Sequence, residues 1–400
     1  MRRREFCTGL ALTAAAACVR VRCQNVGDTA SGARDIADLV KRVDADRVIR
    51  DADAYLKEAP QTITSSHSDR SPGGPHDYFS EGDYWWPDPK NPNGPYIRRD
   101  GQSNPGNFVA HREALIRLSL IVPALAVAWK LTGKRLYAAK AREHLVAWFV
   151  DASTRMNPNL QYAQAIQGIT KGRGTGIIDT VHLAEVTKAA KALEHADVWS
   201  SPSEYEQVRD WFREYLDWMS TSKNGIEERD AKNNHGSCWV LQAAAFASFV
   251  GDKGRLRFCA ERFRTKLIPE QVARDGSLPL ELARTKPYSY SLFDMDILSG
   301  ICQVLSAEGD DLWRFSTSDG RNMEKVIAYM APFIADKSKW PKPPDVEYFD
   351  DLPVRQPSLL FGGIAYRKPE WIAVWKRLDP EPKVPEIIRN FPIRQPLLWI

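Results

Sequence analysis

Residues 112–150, REALIRLSLIVPALAVAWKLTGKRLYAAKAREHLVAWFV, set the architecture of this chain. Apolar residues recur at three- and four-residue spacing on both sides of Gly133, which predicts two amphipathic helices. Glycine is the residue that most readily ends a helix in the left-handed conformation. The segment therefore predicts an antiparallel helical hairpin.

The same pattern continues along the chain. Further helices, separated by short turns rich in Gly, Asp, Ser and Pro, are predicted at 33–58, 179–196, 203–220, 233–251, 253–272, 291–306 and 323–335. No strand ladder competes with them. This succession predicts an all-α fold, an incomplete α/α toroid of helical hairpins whose inner helices line a cleft. An open helical solenoid is the alternative, although no fixed repeat period supports it. The apolar tail at 390–400 is predicted to pack back on the body.

Composition limits the classes of function. Hydrophobic residues make up 43% and charged residues 26% of the chain, and the net charge is only +4. These values are ordinary for a globular protein. No basic stripe follows the N-terminus, so we predict no nucleic-acid partner. No protein partner is evident from the sequence either.

The first residues, MRRREFCTGLALTAAAACVRVRCQ, have the order of an export signal: a basic start, then an apolar run. The arginines before Phe6 resemble a twin-arginine signal, with a Sec signal and lipoprotein cleavage at Cys18 as alternatives. We predict an export signal at 1–25 and one catalytic domain at 30–400. The protein is expected to be periplasmic or secreted, and held at a membrane only if lipidated at Cys18.

A loop-rich segment at 60–108 contains YWWPDP, residues 84–89. Its prolines exclude a helix interior or a central strand. Indole faces on a stiff loop can stack on sugar rings, so Trp85 and Trp86 are candidate substrate contacts. The alternative is that an indole packs the loop onto the helices. We expect one indole to face the sugar and the other to anchor the loop.

Three further motifs carry polar residues suited to an acidic ligand. NNHGSCW (233–239) opens a helix with Asn233, Asn234 and His235, either as caps or as groups that favour an anion at the positive end of the helix dipole. DGSLPLELARTKPYSYS (275–291) interleaves arginine and tyrosine; arginine can grip a carboxylate through two parallel hydrogen bonds. The alternative interpretation of this motif is an Arg–Glu pair on the surface and tyrosines in the core. The glycines of YAQAIQGITKGRGTGIID (162–179) do not indicate a phosphate loop, because the Lys-Ser/Thr of that motif is missing. They are better explained as a turn that lets Arg173 face a cleft.

No metal or cofactor is predicted. The histidines at 67, 76 and 111 and the cysteines at 238, 259 and 302 lack metal-ligand spacing. The cysteines are expected to be buried thiols. The sequence does not exclude a pair of catalytic carboxylates for glycoside hydrolysis, because the two residues of such a pair can lie far apart in sequence.

These motifs, with SEGDYWWPDP, RDGQSNP and the terminal RQPLLW, together resemble the alginate lyase superfamily of helical-toroid polysaccharide lyases. The resemblance runs from about residue 60 onward, and is closest to polysaccharide lyase family 38 and more distant to family 5. It implies four catalytic residues: Asn234, His235, Arg284 and Tyr290. Tyr288 is the alternative catalytic tyrosine and otherwise a substrate contact. The resemblance also implies cleft residues, which are Tyr162, Gln164, Arg173 and, more loosely, Trp85.

The resemblance implies removal of the C5 proton of a uronate and expulsion of the oxygen at C4. Asn234 and Arg284 would neutralise the charge that develops on the carboxylate. In mannuronate and glucuronate both groups lie on one sugar face, so Tyr290 would serve as base and acid. In guluronate they lie on opposite faces, so His235 would be the base. Free tyrosine has a pKa of about 10, and nearby Arg284 and protonated His235 are expected to lower it.

We therefore expect a lyase that cleaves a 1,4-linked acidic polysaccharide, with alginate, polymannuronate especially, ahead of glucuronan. A glycoside hydrolase on the same toroid is one alternative, and it would need two carboxylates facing across the cleft. An exported protein that binds acidic oligosaccharides without cutting them is the other, and it would have no use for a catalytic tyrosine.

Overall fold

The computed structural model describes residues 25–307 and 309–400, with side chains from residue 35. The predicted export signal up to residue 24, with Cys18, lies outside these residues. The described part of the chain is mainly helical.

Most of the long helices follow the predicted hairpins. The helices of the first half are α1 (Asn25–Tyr55), α2 (Ala110–Thr132), α3 (Arg135–Phe149), α4 (Leu183–Ala192), α5 (Pro202–Thr221), α6 (Lys223–Arg229) and α7 (Asn234–Val250). Those of the second half are α8 (Lys253–Arg262), α9 (Ile268–Gln271), α10 (Pro279–Leu282), α11 (Pro287–Leu305), α12 (Met323–Ala335), α13 (Pro357–Ala365), α14 (Pro369–Arg377) and α15 (Pro385–Arg389). The short strands are β1 (Phe79–Glu81), β2 (Trp85–Trp86), β3 (Ile97–Arg98) and β4 (Tyr162–Ala165).

An inner row of helices runs through the centre, in the order α2, α4, α7, α11 and α13, each in contact with the next. Helix α7 is buried almost all round because nearly every residue after its first turn is apolar or small. Outer helices such as α3, α5, α8, α12 and α14 are amphipathic or polar and cover this row. The arrangement confirms the predicted α/α toroid.

Two predicted helices are shorter than expected. The helix predicted at 179–196 begins as a 3-10 helix (Gly174–Thr180), and α4 follows it. The helix predicted at 253–272 is interrupted by a π-helical turn (Phe263–Leu267). Pro269 lies just beyond and has no N–H to donate to the preceding turn, so the regular ladder cannot continue.

The loop-rich segment contains strands that the sequence did not predict. Strand β1 pairs in parallel with β4, and β2 pairs antiparallel with β3. Prolines lie between β2 and β3 but not within either strand. We call residues 82–107, which include this second ladder, the lip.

The apolar tail packs back on the body, as predicted. Phe391, Ile393, Leu397 and Trp399 are buried. One carboxylate oxygen of buried Glu185 accepts hydrogen bonds from the backbone of residues 394 and 395 and from the Trp399 indole, at 2.8–3.0 Å. This contact fixes the end of the chain against α4.

Candidate active site

A cleft of about 460 Å³ lies between the lip, the start of α7, the start of α11 and the end of α15. Most of the predicted site residues line it: Trp85, Gln164, Arg173, Asn234, His235, Arg284 and Tyr290. Tyr162, Trp86 and Tyr288 do not belong to its lining. Residues from distant parts of the chain therefore meet here.

Tyr288 is a core residue, so its prediction as a site residue was wrong. Its side chain is fully buried against Trp340 and Phe349, and its hydroxyl donates to the Phe333 carbonyl at 3.1 Å. Residues two apart on a helix point to nearly opposite sides. When Tyr290 faces the cleft from α11, Tyr288 must therefore face the interior.

Trp86 and Tyr162 lie outside the lining of the cleft, and their role as substrate contacts stays a prediction. Successive side chains of a strand point to opposite faces, so within β2 Trp85 lines the cleft and Trp86 does not. The Trp86 indole donates to the Gln102 carbonyl at 2.9 Å, a bond within the lip that links its two halves. The Tyr162 ring packs so tightly on Gly73 that a β-carbon there would lie 2.8 Å from it.

Two buried carboxylates hold the start of α7. Glu281 accepts from the backbone N–H of Asn234 at 2.8 Å and from its side-chain amide at 2.6 Å. Glu228 lies 2.7 Å from Nδ1 of His235. Asn233 occupies the N-cap position, yet its side chain makes no capping bond. Asn234 and His235 are thus oriented toward the cleft by acids rather than used as caps.

The Glu228 contact fixes which His235 nitrogen is free for chemistry. A carboxylate accepts hydrogen bonds, so Nδ1 is the nitrogen that carries the proton of this bond. In the neutral imidazole Nε2 then carries the lone pair, and it makes no hydrogen bond to another described residue. A histidine oriented in this way is equipped to act as a general base.

Arg284 is already paired, which the sequence did not predict. Its Nε and Nη2 donate to the Asp100 carboxylate at 3.2 and 2.9 Å. Nη2 also lies 3.3 Å from the Tyr290 hydroxyl, and the guanidinium carbon is 4.2 Å from the centre of that ring. Nη1 makes no hydrogen bond within the described part of the chain, so it is the group left for a substrate carboxylate.

The expectation of a lowered Tyr290 pKa was wrong. Burial raises the pKa of Tyr290 well above 10, and the Arg284 charge opposes this without reversing it. The Tyr290 hydroxyl donates to the Tyr84 hydroxyl at 2.8 Å. Tyr290 is therefore protonated at neutral pH in this structure.

Ion pairs fasten the lip over the cleft. Asp83 accepts from Arg112 at 2.9 Å and lies 2.7 Å from Arg389. Burial alone would raise the pKa of Asp83, but these two arginines hold it below its usual value. Near the other end of the lip, Ser103 donates to Glu386 at 2.9 Å. The C-terminal helix α15 thus helps to position the cleft wall.

Several of these contacts could not be found from the sequence. Glu281 lies within the motif at 275–291, but its partner Asn234 is 47 residues away. Tyr84 precedes the tryptophan pair and meets Tyr290 across 206 residues. Among the described residues, no group of three or more His, Cys, Asp or Glu side chains is placed to hold a metal ion. The absence of a cofactor stays a prediction.

Comparison with known proteins gives a consistent result. A family model described as alginate lyase matches residues 62–340. The chain is similar to a crystal structure of an alginate lyase from Bacteroides ovatus, with 31% identity and a TM-score of 0.79 over 92% of this chain and 98% of that one. No curated protein matches.

More distant structures share the fold. Alginate lyase A1-III from Sphingomonas species A1 is 17% identical, with a TM-score of 0.54 over 88% of this chain and 94% of that one. A variant of A1-III with histidine replaced by alanine, complexed with a tetrasaccharide, is 17% identical, with a TM-score of 0.56 over 86% of this chain and 88% of that one.

Proposed function

Since the chain belongs to the alginate lyase family and is a polysaccharide lyase, we propose that it cleaves alginate by β-elimination, with polymannuronate as the preferred polymer. The observation that carries this proposal is the contact between Arg284 and Tyr290 at the cleft. It joins a cation, which a uronate carboxylate requires, to a hydroxyl that can exchange a proton with the sugar. The assignment to family 38 within the superfamily stays a prediction.

Neutralisation of the carboxylate is the first requirement of the reaction. Removal of the C5 proton adds negative charge to a group that is already anionic. The side-chain amide of Asn234 has a second N–H beyond the one given to Glu281, and Arg284 has Nη1. Donors fixed in advance at such a position contribute several kcal/mol, because they need no reorganisation during the reaction.

Tyr290 is the proposed proton carrier on mannuronate. The C5 hydrogen and the C4 oxygen lie on one face of this sugar, so one hydroxyl can remove the proton and return it to the leaving oxygen. Because burial raises the pKa of Tyr290, its ionised form is scarce at neutral pH. The guanidinium 4.2 Å from the ring centre is the charge that stabilises this form.

Cleavage of guluronate is a second candidate activity, favoured by the His235–Glu228 contact. Here the two groups lie on opposite faces and require a separate base and acid. His235 presents Nε2 as the base, and Tyr290, protonated in this structure, is the acid. Glucuronan has the same geometry as mannuronate and is the alternative polymer for the Tyr290 route.

The test is to follow ultraviolet absorbance of the 4,5-unsaturated product with polymannuronate, polyguluronate and glucuronan as separate substrates. We expect the fastest rise with polymannuronate. Tyr290→Phe should lower kcat about 100-fold or more on each cleaved polymer. His235→Gln should reduce guluronate cleavage more than mannuronate cleavage. Tyr288→Phe, a matched loss of one hydroxyl outside the cleft, should keep kcat.

Other results would redirect the proposal. New reducing ends without absorbance would indicate a hydrolase, and tight binding without either product would indicate a binding protein. A Tyr290→Phe variant as active as the wild type would exclude Tyr290 as the proton carrier.

We also propose export of the protein, on the strength of the predicted signal at residues 1–25. N-terminal sequencing of the protein recovered from a periplasmic fraction would test this. An uncleaved, cytoplasmic product would contradict it.

A further inference from the structure

Asp100 lies in RDGQSNP, residues 99–105 of the lip, a motif to which the sequence assigns no role. Its carboxylate accepts hydrogen bonds from Nε and Nη2 of Arg284, from the Thr285 hydroxyl at 3.0 Å and from Arg98 at 2.6 Å. Asp100 does not itself belong to the lining of the cleft. Its influence on the cleft is therefore exerted through its partners, of which Arg284 is the one in contact with Tyr290.

The contact between Asp100 and Arg284 is built into the fold. Burial alone would raise the pKa of Asp100, but the hydrogen bonds from Arg284 and Thr285, with the charge of Arg98, hold it well below its usual value. The next residue, Gly101, adopts a φ of 76°, and a β-carbon there would clash with the Thr285 hydroxyl. Glycine permits both this conformation and this close approach. Asp100 is thus held, in its ionised form, against the segment that carries Arg284.

This contact determines which donors of Arg284 are left for the cleft. A guanidinium carries its N–H groups in one rigid plane. Asp100 accepts from Nε and Nη2, and Nη2 also donates to the Tyr290 hydroxyl at 3.3 Å. Nη1 keeps both of its N–H groups free of any acceptor among the described residues. Because the plane is rigid, a carboxylate that holds one edge also fixes the direction in which Nη1 and Nη2 point.

The charge of Asp100 acts on Tyr290 as well. Burial is the main reason that the neutral form of Tyr290 is favoured; the charge of Arg284 favours the ionised form, and the charge of Asp100 opposes that effect. Among the described residues, Asp100 is the acid hydrogen-bonded to Arg284. The other ionisable side chains around these groups are Tyr84 from the lip, His235 from α7, Glu281 from α10, Lys286 before α11, and Glu386 and Arg389 from α15.

We propose that Asp100 is a positioning residue of the lyase reaction, which holds one edge of Arg284 so that Nη1 faces the uronate carboxylate and Nη2 faces the Tyr290 hydroxyl. The inference rests on the proposed function, in which Arg284 neutralises that carboxylate. Asp100 is not a substrate contact, because it lies outside the lining of the cleft. The lip then serves the reaction twice, since it supplies Asp100 to Arg284 and Tyr84 to Tyr290.

The kinetics of Asp100→Asn test this role. Asparagine keeps the size of the side chain but removes its charge and one of its two acceptor oxygens. At the pH where each enzyme is fastest on polymannuronate, kcat of the variant should be about 10- to 100-fold lower, since misplacing a group by about 1 Å can cost about 100-fold. KM should change far less. The rate of the variant should also level off at a lower pH than that of the wild type, because Arg284 then acts on Tyr290 without the opposing charge.

Two further variants separate positioning from a loss of charge or of structure. Asp88→Asn removes a charge from the same lip and should keep the wild-type kcat and pH profile. Asp88 accepts from the Lys90 backbone at 2.9 Å and has no basic side chain within 4.0 Å in the described part of the chain. Asp100→Glu keeps the charge and should level off at the wild-type pH, with kcat between those of the wild type and Asp100→Asn. If Asp100→Asn does not fold, an unchanged kcat in Asp100→Glu would contradict the proposal.

Two results with a folded Asp100→Asn would overturn the proposal. One is a kcat and a pH profile equal to those of the wild type. The other is a wild-type kcat with a lowered KM, which would show that Asp100 competes with the substrate for Arg284 instead of positioning it.

Chemical labelling supplies a readout that does not depend on cleavage. Phenylglyoxal, which modifies accessible arginine side chains, is applied to the wild type and to Asp100→Asn, and the labelled peptides are quantified by mass spectrometry. Arg284 should react faster in the variant, because the edge held by Asp100 is then free. Arg173, which is bonded to Gln164 and not to Asp100, should react equally in both proteins. Equal labelling of Arg284 would overturn the proposal. Failure of the wild type to release unsaturated product from any polyuronate would instead refute the proposed lyase function, while the labelling would still report whether Asp100 holds Arg284.

Discussion

Tyr290 occupies a position that both hinders and favours its proposed chemistry. Burial stabilises the neutral phenol, and the hydrogen bond donated to Tyr84 holds its proton. The positive charge of Arg284 has the opposite effect, because it stabilises the ionised form. Tyr290 can therefore donate its proton as an acid without prior ionisation. To act as a base it must first ionise, which its raised pKa opposes.

This balance predicts a pH dependence that differs between the two alginate sugars. On mannuronate, where the proposed base is ionised Tyr290, kcat should rise up to about tenfold per pH unit from neutral to alkaline pH, because its pKa lies above that range. On guluronate, where the proposed acid is protonated Tyr290, no such rise is expected. Initial rates on the two polymers across this range check it. A flat profile on polymannuronate would show that Tyr290 is not its base.

Predictability from sequence also differs residue by residue. Motifs located Asn234, His235, Arg284 and Tyr290, and all four line one cleft, although their roles stay predictions. Asp100 was missed because it meets Arg284 across 184 residues, with no pattern to connect them. Helical and strand geometry, rather than residue type, separates Tyr290 from Tyr288 and Trp85 from Trp86.

Helix α11 carries a second set of polar groups behind the cleft, packed on α13. Asp296 is buried, and one of its oxygens accepts from the Ser358 backbone at 3.2 Å. The other oxygen has no partner among the described residues. Burial raises the pKa of Asp296 from 3.8 to about 8. The folded protein therefore retains a proton here that the unfolded chain has released at neutral pH.

Asp296 is accordingly predicted to make stability fall as pH rises. A raised folded-state pKa contributes stability that is complete below the unfolded value of 3.8 and lost progressively up to about 8. The slope should approach about 1.4 kcal/mol per pH unit in that window. Asp296→Asn should remove this slope and raise Tm at the alkaline end. Chemical denaturation at several pH values checks it, with the exposed Asp69→Asn as control. Identical slopes in variant and wild type would show that Asp296 is ionised in the fold.

Helix prediction succeeded where apolar spacing was regular and failed where backbone chemistry intervened. Helices α2, α5, α7 and α12 lie within a few residues of their predicted bounds. The π-helical turn before Pro269 and the short ladders of the lip depend on local hydrogen bonding and on distant partners. Side-chain periodicity contains neither kind of information.

The lip depends on the rest of the toroid through Glu386. This buried carboxylate accepts from Lys286 at 2.5 Å and from Ser103 at 2.9 Å, and so joins α15, α11 and the lip. Lys286 is itself buried and has a second acid partner, Glu347, at 3.0 Å. The cleft wall is thus fixed by residues from three separated regions of the chain.

Replacing Glu386 should loosen the lip and lower stability together. Glu386→Gln leaves Lys286 with one acid partner, and the free energy of unfolding should fall by roughly 2–4 kcal/mol, since breaking buried pairs is costly. Trypsin should then cut faster after Lys90, Arg98 or Arg99 in the lip. Glu381→Gln, which removes the partner of exposed Arg50, is the control and should cost about 1 kcal/mol or less. Unchanged cleavage within the lip, despite lower stability, would show that Glu386 does not hold it.

The contact between Ser103 and Glu386 spans 283 residues, and this separation constrains the order in which the protein can mature. On the ribosome, the lip emerges long before the helix that fastens it. Until Glu386 and Arg389 have been synthesised, the lip lacks its contacts with α15, and a nascent chain therefore carries an unfinished cleft. Contacts this distant in sequence also form late and slowly during folding. The enzyme is thus expected to gain activity in a single late step rather than gradually as its helices assemble.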